Sequence, residues 1–265
     1  MNVVLVAGTT IAGLVAGGLL DPLGQHLAER SHRDDERKRA EAAETAEKLD
    51  APDSKTVTDP VTEAVPDSDP HHVVVQGRST MRTLVAAIVT GGLFASAAVH
   101  FGADLILAPF CVFFALLVAV SLTDLSYRLV PRRLIYGTLV LMVPLLVVTS
   151  AADHQWKHLS GAAIAGVVAF GLFFAIWWFM PQGMGFGDVR LAGVIGIATG
   201  YLSLIHAYLA FFGGFVIGMV FGLVMMAVLA SGRKTRIAFA PALSVGAVLA
   251  VFFGTHLAHS FFGTG

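Results

Sequence analysis

Long apolar runs, separated by short charged segments, make up most of the chain. A transmembrane helix needs about 20 apolar residues to cross roughly 30 Å of hydrocarbon. Windows of this kind predict eight spans, at 3–20, 83–99, 104–122, 134–150, 160–180, 189–202, 204–230 and 237–260. A single helix over the charge-free residues 191–230 would be about 60 Å long, so we expect a break near Gly200-Tyr201. The predicted fold class is therefore an all-α membrane protein, a polytopic bundle of about eight transmembrane helices.

The distribution of Lys and Arg predicts the orientation of these spans. With eight spans the loops alternate between the two faces of the membrane, and 16 of the 17 basic residues fall in the odd-numbered loops. Lys157 is the exception. Because basic loops tend to remain in the cytosol, we expect the odd-numbered loops inside the cytosol and both termini external.

The composition agrees with a membrane protein and argues against other classes. Hydrophobic residues make up 56% of the chain and charged residues 13%, which is too apolar for a soluble domain of this length. The sequence has no clustered basic face of the kind that binds nucleic acid, so no nucleic-acid partner is predicted. The single cysteine, Cys111, excludes a cysteine-based zinc cluster and an internal disulfide.

The charges concentrate between the first two spans and divide the chain into three segments. Residues 1–20 are predicted to form the first transmembrane helix, 21–82 a charged cytosolic loop, and 83–265 the transmembrane domain that carries the site. Within the loop, the composition of residues 25–49 favours a charged helix. Residues 50–70 are acidic and punctuated by proline, and we expect them to be disordered.

Few acidic residues are available for chemistry after this loop. From residue 83 onward there is no glutamate, and the aspartates are Asp104, Asp124, Asp153 and Asp188. The predicted topology puts Asp104 and Asp153 near the external face, and Asp124 and Asp188 at cytosolic helix ends. Because a carboxyl group at a membrane boundary is costly, a pair on one face indicates a functional site.

Two carboxyl groups held close together can activate a water molecule. One takes a proton from the water, while the other is protonated and polarises a peptide carbonyl; their mutual repulsion raises one pKa of the pair. We therefore predict Asp124 and Asp188 as catalytic residues that need no metal and no other cofactor. The sequence leaves open which of them starts protonated. The structural alternatives are a helix cap at Asp188 and a solvated boundary residue at Asp124.

The residues around both aspartates favour the functional interpretation. Asp188 follows the sequence Gly-Met-Gly-Phe-Gly, and we expect Gly185 and Gly187 to permit close approach of a substrate backbone. Pro131 follows Asp124 by seven residues and is expected near the first turn of the next helix, where its missing N–H costs nothing. Arg190 is a supporting candidate that could orient Asp188, bind a lipid phosphate or simply anchor the helix at the interface.

Three motifs carry a family resemblance. Residues 185–188, Gly-Phe-Gly-Asp, resemble the GxGD signature of membrane aspartic peptidases, and the continuation Val-Arg-Leu resembles that of type IV prepilin peptidases. The segment 124–131 is similar to the other aspartate motif of that family. The stretch 237–241, Ile-Ala-Phe-Ala-Pro, is similar to the proline-containing start of the family's last span, which adds Pro241 as a supporting residue. The resemblance covers most of residues 83–260.

The resemblance implies an aspartic endopeptidase of the bacterial cytoplasmic membrane. Such an enzyme removes the leader peptide from a type IV prepilin or pseudopilin, which is its substrate partner. The enzyme itself is embedded in the lipid bilayer, and its active site faces the cytosol. Bifunctional members of the family also methylate the new N-terminus and carry a cytosolic tetracysteine segment after the first span. Residues 21–82 contain no cysteine, which argues against methyltransferase activity. The oligomeric state is not predicted.

Two alternative functions remain open. The first is a GxGD intramembrane protease of other specificity, resembling presenilin or signal peptide peptidase, whose PAL motif is similar to Pro-Ala-Leu at 241–243. In those proteases the first aspartate typically follows a tyrosine, whereas Thr123 precedes Asp124 here. The second is a proton-coupled transporter that uses the same aspartates as a proton relay, although the sequence shows none of the internal repeats typical of such carriers.

Overall fold

The chain folds, in the computed structural model, as a bundle of long helices. The structure describes residues 3–20, 33, 37, 41, 76–127, 130–180, 184–229 and 239–262. Within these residues there is no strand, and seven helices are long and apolar enough to cross a membrane. The predicted fold class is therefore confirmed. The eight helices are α1 (Val3–Leu20), α2 (Gln76–Phe101), α3 (Leu107–Tyr127), α4 (Arg132–Ala152), α5 (Trp156–Phe179), α6 (Phe186–Leu202), α7 (Leu204–Leu229) and α8 (Ala240–Phe262).

The charged loop between α1 and α2 lies mostly outside the described residues. Arg33, Arg37 and Glu41 are described and helical, and Nε of Arg37 donates a hydrogen bond to Oε1 of Glu41 at 3.0 Å. These three positions agree with the charged helix predicted for 25–49, since residues four apart face each other on a helix. The disorder predicted for 50–70 falls on residues that the structure does not describe.

The helix α6 is the shortest of the eight and lies inside the bundle. Of its 17 residues, 12 are buried. Ser203 alone, in an extended conformation, separates it from α7. The break predicted near Gly200-Tyr201 therefore occurs slightly later in the chain. Gly200 stays helical because it serves helix packing: a side chain there would place its Cβ 2.8 Å from the carbonyl oxygen of Gly161 on α5.

Small residues let neighbouring helices approach to backbone distance. A Cβ on Gly196 of α6 would lie 2.6 Å from the carbonyl oxygen of Ala165 on α5. A Cβ on Gly246 of α8 would overlap the backbone nitrogen of Gly214 on α7. Helix pairs in membranes commonly pack through such small residues, because the bilayer gives no hydrophobic drive for association and close van der Waals contact replaces it.

Four helix ends meet at one end of the bundle. The start of α6 contacts the α3–α4 connection, where a Cβ on Gly187 would lie 2.7 Å from Cβ of Val130. The start of α8 contacts the end of α3, where the backbone N–H of Ala240 donates a hydrogen bond to Oδ2 of Asp124 at 3.3 Å. The three sequence motifs, distant along the chain, are thereby assembled at the same end of the bundle.

Candidate active site

Asp124 lies in the last turn of α3 and is only 6% exposed. Its Oδ2 atom accepts the hydrogen bond from the N–H of Ala240, the first residue of α8. The first N–H groups of a helix have no partner within the helix, and the N-terminal end of the helix dipole is positive. The start of α8 is therefore suited to hold an ionised carboxylate.

Asp188 lies in the first turn of α6, ahead of the predicted span 189–202, and is 9% exposed. Burial and the nearby negative charge of Asp124 raise the pKa of Asp188 from 3.8 to about 7, and a hydrogen bond from the backbone of Gly185 opposes the shift. Gly185, rather than Asp188, occupies the N-cap position of α6. Asp188 is the third residue of the helix, and its bond to the backbone of Gly185 is the reciprocal half of a capping box, so the carboxyl group also caps α6.

The two carboxyl groups have similar surroundings. Both are buried, and each accepts a backbone hydrogen bond at the start of a helix, Asp124 from Ala240 and Asp188 from Gly185. Their mutual repulsion favours one ionised and one protonated group, and such a pair can supply a base and an acid at the same pH. Among the described residues, no three His, Cys, Asp or Glu side chains form a group that could hold a metal ion.

The two glycines before Asp188 have different surroundings. Gly187 faces Val130, so its missing side chain is required by the α3–α4 connection of the protein itself. Gly185 is exposed, and among the described residues a Cβ there would meet Oδ2 of Asp188 at 3.7 Å and the nitrogen of Gly187 at 3.9 Å, which are ordinary contacts. As far as the described residues go, there is space beside the carboxyl group at Gly185.

The predicted prolines start helices beside the site. Pro131 is buried and occupies the N-cap of α4, with its carbonyl oxygen accepting the N–H of Leu134 at 3.1 Å. Pro241 is the second residue of α8, a position where a backbone N–H would have no partner within the helix. Both residues fix where a helix begins next to Asp124.

Arg190 contacts aromatic rings of two helices. Its Cζ atom lies 4.3 Å from the ring centroid of Phe186 and 5.9 Å from that of Tyr136 on α4. A guanidinium group stacks readily on such rings. The side chain therefore points into the space between α4 and α6.

Two features of the site have no side-chain signal in the sequence. The donor to Asp124 is the backbone N–H of Ala240, and the group that restricts Gly187 is the apolar side chain of Val130. Neither residue type carries chemistry by itself. The similarity of 237–241 to a family motif was the only indication that this segment belongs to the site.

These helices form a polytopic membrane protein. It holds two carboxyl groups away from water and close enough to influence each other's charge, which makes a paired-carboxyl site. Comparison with known proteins refines this class. Residues 111–223 match the model of the type IV leader peptidase family, a segment that includes Asp124 and Asp188. Over this segment, which is under half of the chain, the resemblance noted in the motifs is confirmed.

The relatives found by comparison carry a double name. The prepilin leader peptidase/N-methyltransferase of Bacillus subtilis (strain 168) is 34% identical over 172 residues, which cover 64% of this chain and 65% of that protein. The protein of the same name from Pseudomonas aeruginosa is 25% identical over 152 residues, which cover 55% of this chain and 49% of that protein. The chain thus matches less than two thirds of the length of either relative. No solved structure gives a significant match to the chain.

Proposed function

We propose that the chain is an aspartic-type endopeptidase that removes the leader peptide from a type IV prepilin or pseudopilin. The observation that carries the proposal is the pair of buried carboxyl groups of Asp124 and Asp188 at one end of the bundle, close enough for the charge of one to raise the pKa of the other. The match of residues 111–223 to the type IV leader peptidase family and the names of the relatives support this activity.

The surroundings of the two carboxyl groups suggest their roles. Asp124 begins the cycle ionised, because it accepts the N–H of Ala240 at the positive end of α8. Asp188 begins it protonated, because burial and the charge of Asp124 raise its pKa to about 7. Asp124 is then the general base toward a water molecule, and Asp188 is the acid toward the carbonyl oxygen of the scissile peptide bond.

The reaction is an addition followed by an elimination. Asp124 takes one proton from the water while the oxygen of the water bonds to the carbonyl carbon. At the same time Asp188 gives its proton to the carbonyl oxygen. The tetrahedral diol then collapses: the C–N bond breaks, Asp124 gives its proton to the leaving nitrogen, and a hydroxyl proton returns to Asp188. The two side chains end in their starting states, so the only net reactant besides the peptide is one water molecule.

The predicted topology agrees with this substrate class. Because basic loops tend to stay in the cytosol, the end of the bundle that holds Asp124 and Asp188 is proposed to face the cytosol from a bacterial cytoplasmic membrane. A prepilin carries a basic leader in the cytosol and an apolar helix in the bilayer, so its scissile bond would arrive at that level. The open space beside Gly185 is where an extended peptide backbone would approach Asp188.

Cleavage of a co-expressed prepilin tests the proposal. Leader removal is followed on a gel for the wild type and for the variants Asp124→Asn and Asp188→Asn. An amide has the size of the carboxyl group but can be neither base nor acid in this cycle, so each single variant is expected to abolish cleavage. Matched controls are Asp104→Asn and Asp153→Asn, the same change at exposed positions outside the site. These two should cleave like the wild type.

Other outcomes would contradict the proposal in different ways. Cleavage retained in either site variant would exclude the two-carboxyl mechanism. A wild type that folds and inserts but leaves every prepilin tested uncut would exclude the substrate class. An alkaline phosphatase fusion at the C-terminus that stays inactive would contradict the predicted external C-terminus, and with it the cytosolic active site.

A further inference from the structure

A groove runs along the outside of the bundle between α4, α5 and α6. Its volume is about 400 Å³, and almost all of its lining is apolar. The side chains along its walls include Ile135 and Leu139 of α4, Ala163 and Val167 of α5, and Val194 and Ile197 of α6. The aspartate pair does not line it, so the groove is a separate feature of the molecule.

The groove is elongated. Its lining residues on α6 extend from Phe186 to Ile197, a distance of about 16 Å at 1.5 Å per residue. An elongated apolar groove of this length matches the shape and chemistry of an extended hydrocarbon chain.

One charged group lies in this apolar lining. Arg190 belongs to the groove wall, and its guanidinium group lies over the ring of Phe186, with Tyr136 on the opposite wall. Stacking on a ring face leaves the in-plane N–H groups of a guanidinium available to a second partner, and their fork geometry suits a phosphate. Both Arg190 and Tyr136 lie within about one turn of the starts of α6 and α4, at the end of the bundle that holds the aspartates.

We infer that the groove is a binding site for an anionic phospholipid. Its headgroup phosphate contacts the guanidinium of Arg190, and one acyl chain lies along the apolar wall formed by α4, α5 and α6. An apolar groove with a cation at one end is complementary to a molecule with a hydrocarbon chain and an anionic head. The binding of a lipid does not require peptidase activity, so a failure of this inference is distinguishable from a failure of the proposed function.

The test measures lipid binding by the purified full chain. Native mass spectrometry follows titration with phosphatidylglycerol and with a diacylglycerol of the same chains, which lacks the phosphate. We expect the wild type to bind phosphatidylglycerol at least about tenfold more tightly than diacylglycerol, since a hydrogen bond to a charged group is involved. The substitution Arg190→Gln should remove this preference and leave diacylglycerol binding unchanged.

A matched pair of substitutions tests the acyl-chain part of the site. Val167 and Val168 are neighbours on α5, 72% and 62% exposed, but only Val167 lines the groove. Val167→Trp should fill the groove and weaken the binding of both lipids by about tenfold or more, whereas Val168→Trp should bind them like the wild type. Both variants are first checked for unchanged helix content by circular dichroism.

Several results would overturn the inference. Equal binding of phosphatidylglycerol by the wild type and Arg190→Gln would exclude the phosphate contact, and equal effects of the two tryptophan variants would exclude the groove. Displacement of the lipid by millimolar inorganic phosphate would assign the site to free phosphate. If Val167→Trp kept normal lipid binding but slowed prepilin cleavage relative to Val168→Trp, the groove would serve the substrate and not a lipid.

Discussion

The substitution Gly187→Ala tests whether the start of α6 is held in register with the α3–α4 connection. The added Cβ would lie 2.7 Å from Cβ of Val130 and 3.2 Å from one of its Cγ atoms. A change of rotamer cannot move the Cβ of Val130, because that atom is fixed to the backbone. Two backbone segments must therefore separate, and Asp188 lies one residue beyond the point of contact.

The size of the displacement follows from these distances. Ordinary contact between such atoms begins at 3.4 Å, so the start of α6 must move by about 0.7 Å or more. A misplacement of about 1 Å in a catalytic site can cost about 10²-fold in rate. We expect Gly187→Ala to lower kcat/KM for leader removal by roughly that factor, while overpacking costs about 1 to 3 kcal/mol of stability.

The assay is cleavage of a purified prepilin by the purified enzyme, with second substitutions at Val130. Adding Val130→Gly to Gly187→Ala removes the conflicting Cβ and should restore most of the activity. Adding Val130→Ala keeps that Cβ and should restore little. Gly137→Ala, in a part of α4 with open space around the glycine, is the control for the same substitution elsewhere. Near-normal activity of Gly187→Ala, or equal rescue by Ala and Gly at position 130, would refute the reasoning.

Three further predictions concern the pH profile, a backbone donor and helix packing. The pKa of Asp188 is raised to about 7, so its protonated form is present below that pH. We therefore expect kcat/KM to fall as the pH rises through 7. A profile that is flat from pH 6 to 9 would contradict this prediction. Ala240→Pro removes the N–H that donates to Asp124, and the first position of a helix tolerates proline. We expect kcat to fall about tenfold or more, while an unchanged melting temperature serves as the control for folding. Gly196→Ala forces a Cβ to 2.6 Å from a backbone oxygen and should cost about 1 to 3 kcal/mol in denaturant unfolding, whereas Gly137→Ala should be neutral or stabilising.

The helices could be predicted from the sequence because their apolar windows are long and their charges sit at the ends. The division between α6 and α7 shows both the strength and the limit of this pattern. The spans predicted at 189–202 and 204–230 bracket Ser203, where the structure breaks the helix. The break expected at Gly200 was misplaced because glycine is typical both of turns and of close helix packing. Only the position of Gly161 on α5 distinguishes the two uses.

The aspartates of the candidate site could be singled out because the chain has so few acidic residues after the charged loop. The groups that surround the two aspartates could not be predicted from the sequence. Every residue except proline has a backbone N–H, so nothing marks Ala240 as the donor to Asp124 until α8 is placed against α3. Likewise the sequence could not show whether Gly187 lacks a side chain to admit a substrate or to fit against Val130, because both explanations require a glycine at that position.

The burial of α6 has a consequence for the level at which the chemistry takes place. A helix of 17 residues is short for the hydrocarbon core, so if it faced lipid it would have to stand nearly upright or thin the bilayer around it. Its ends would then shift when the hydrocarbon thickness changed. Neighbouring helices bury 12 of the 17 residues of α6, so most of its surface is held by protein contacts and only the face along the groove can meet an acyl chain. The height of the Asp188 carboxyl group therefore depends mainly on how α6 packs against its neighbours, and we expect it to change little between thick and thin membranes.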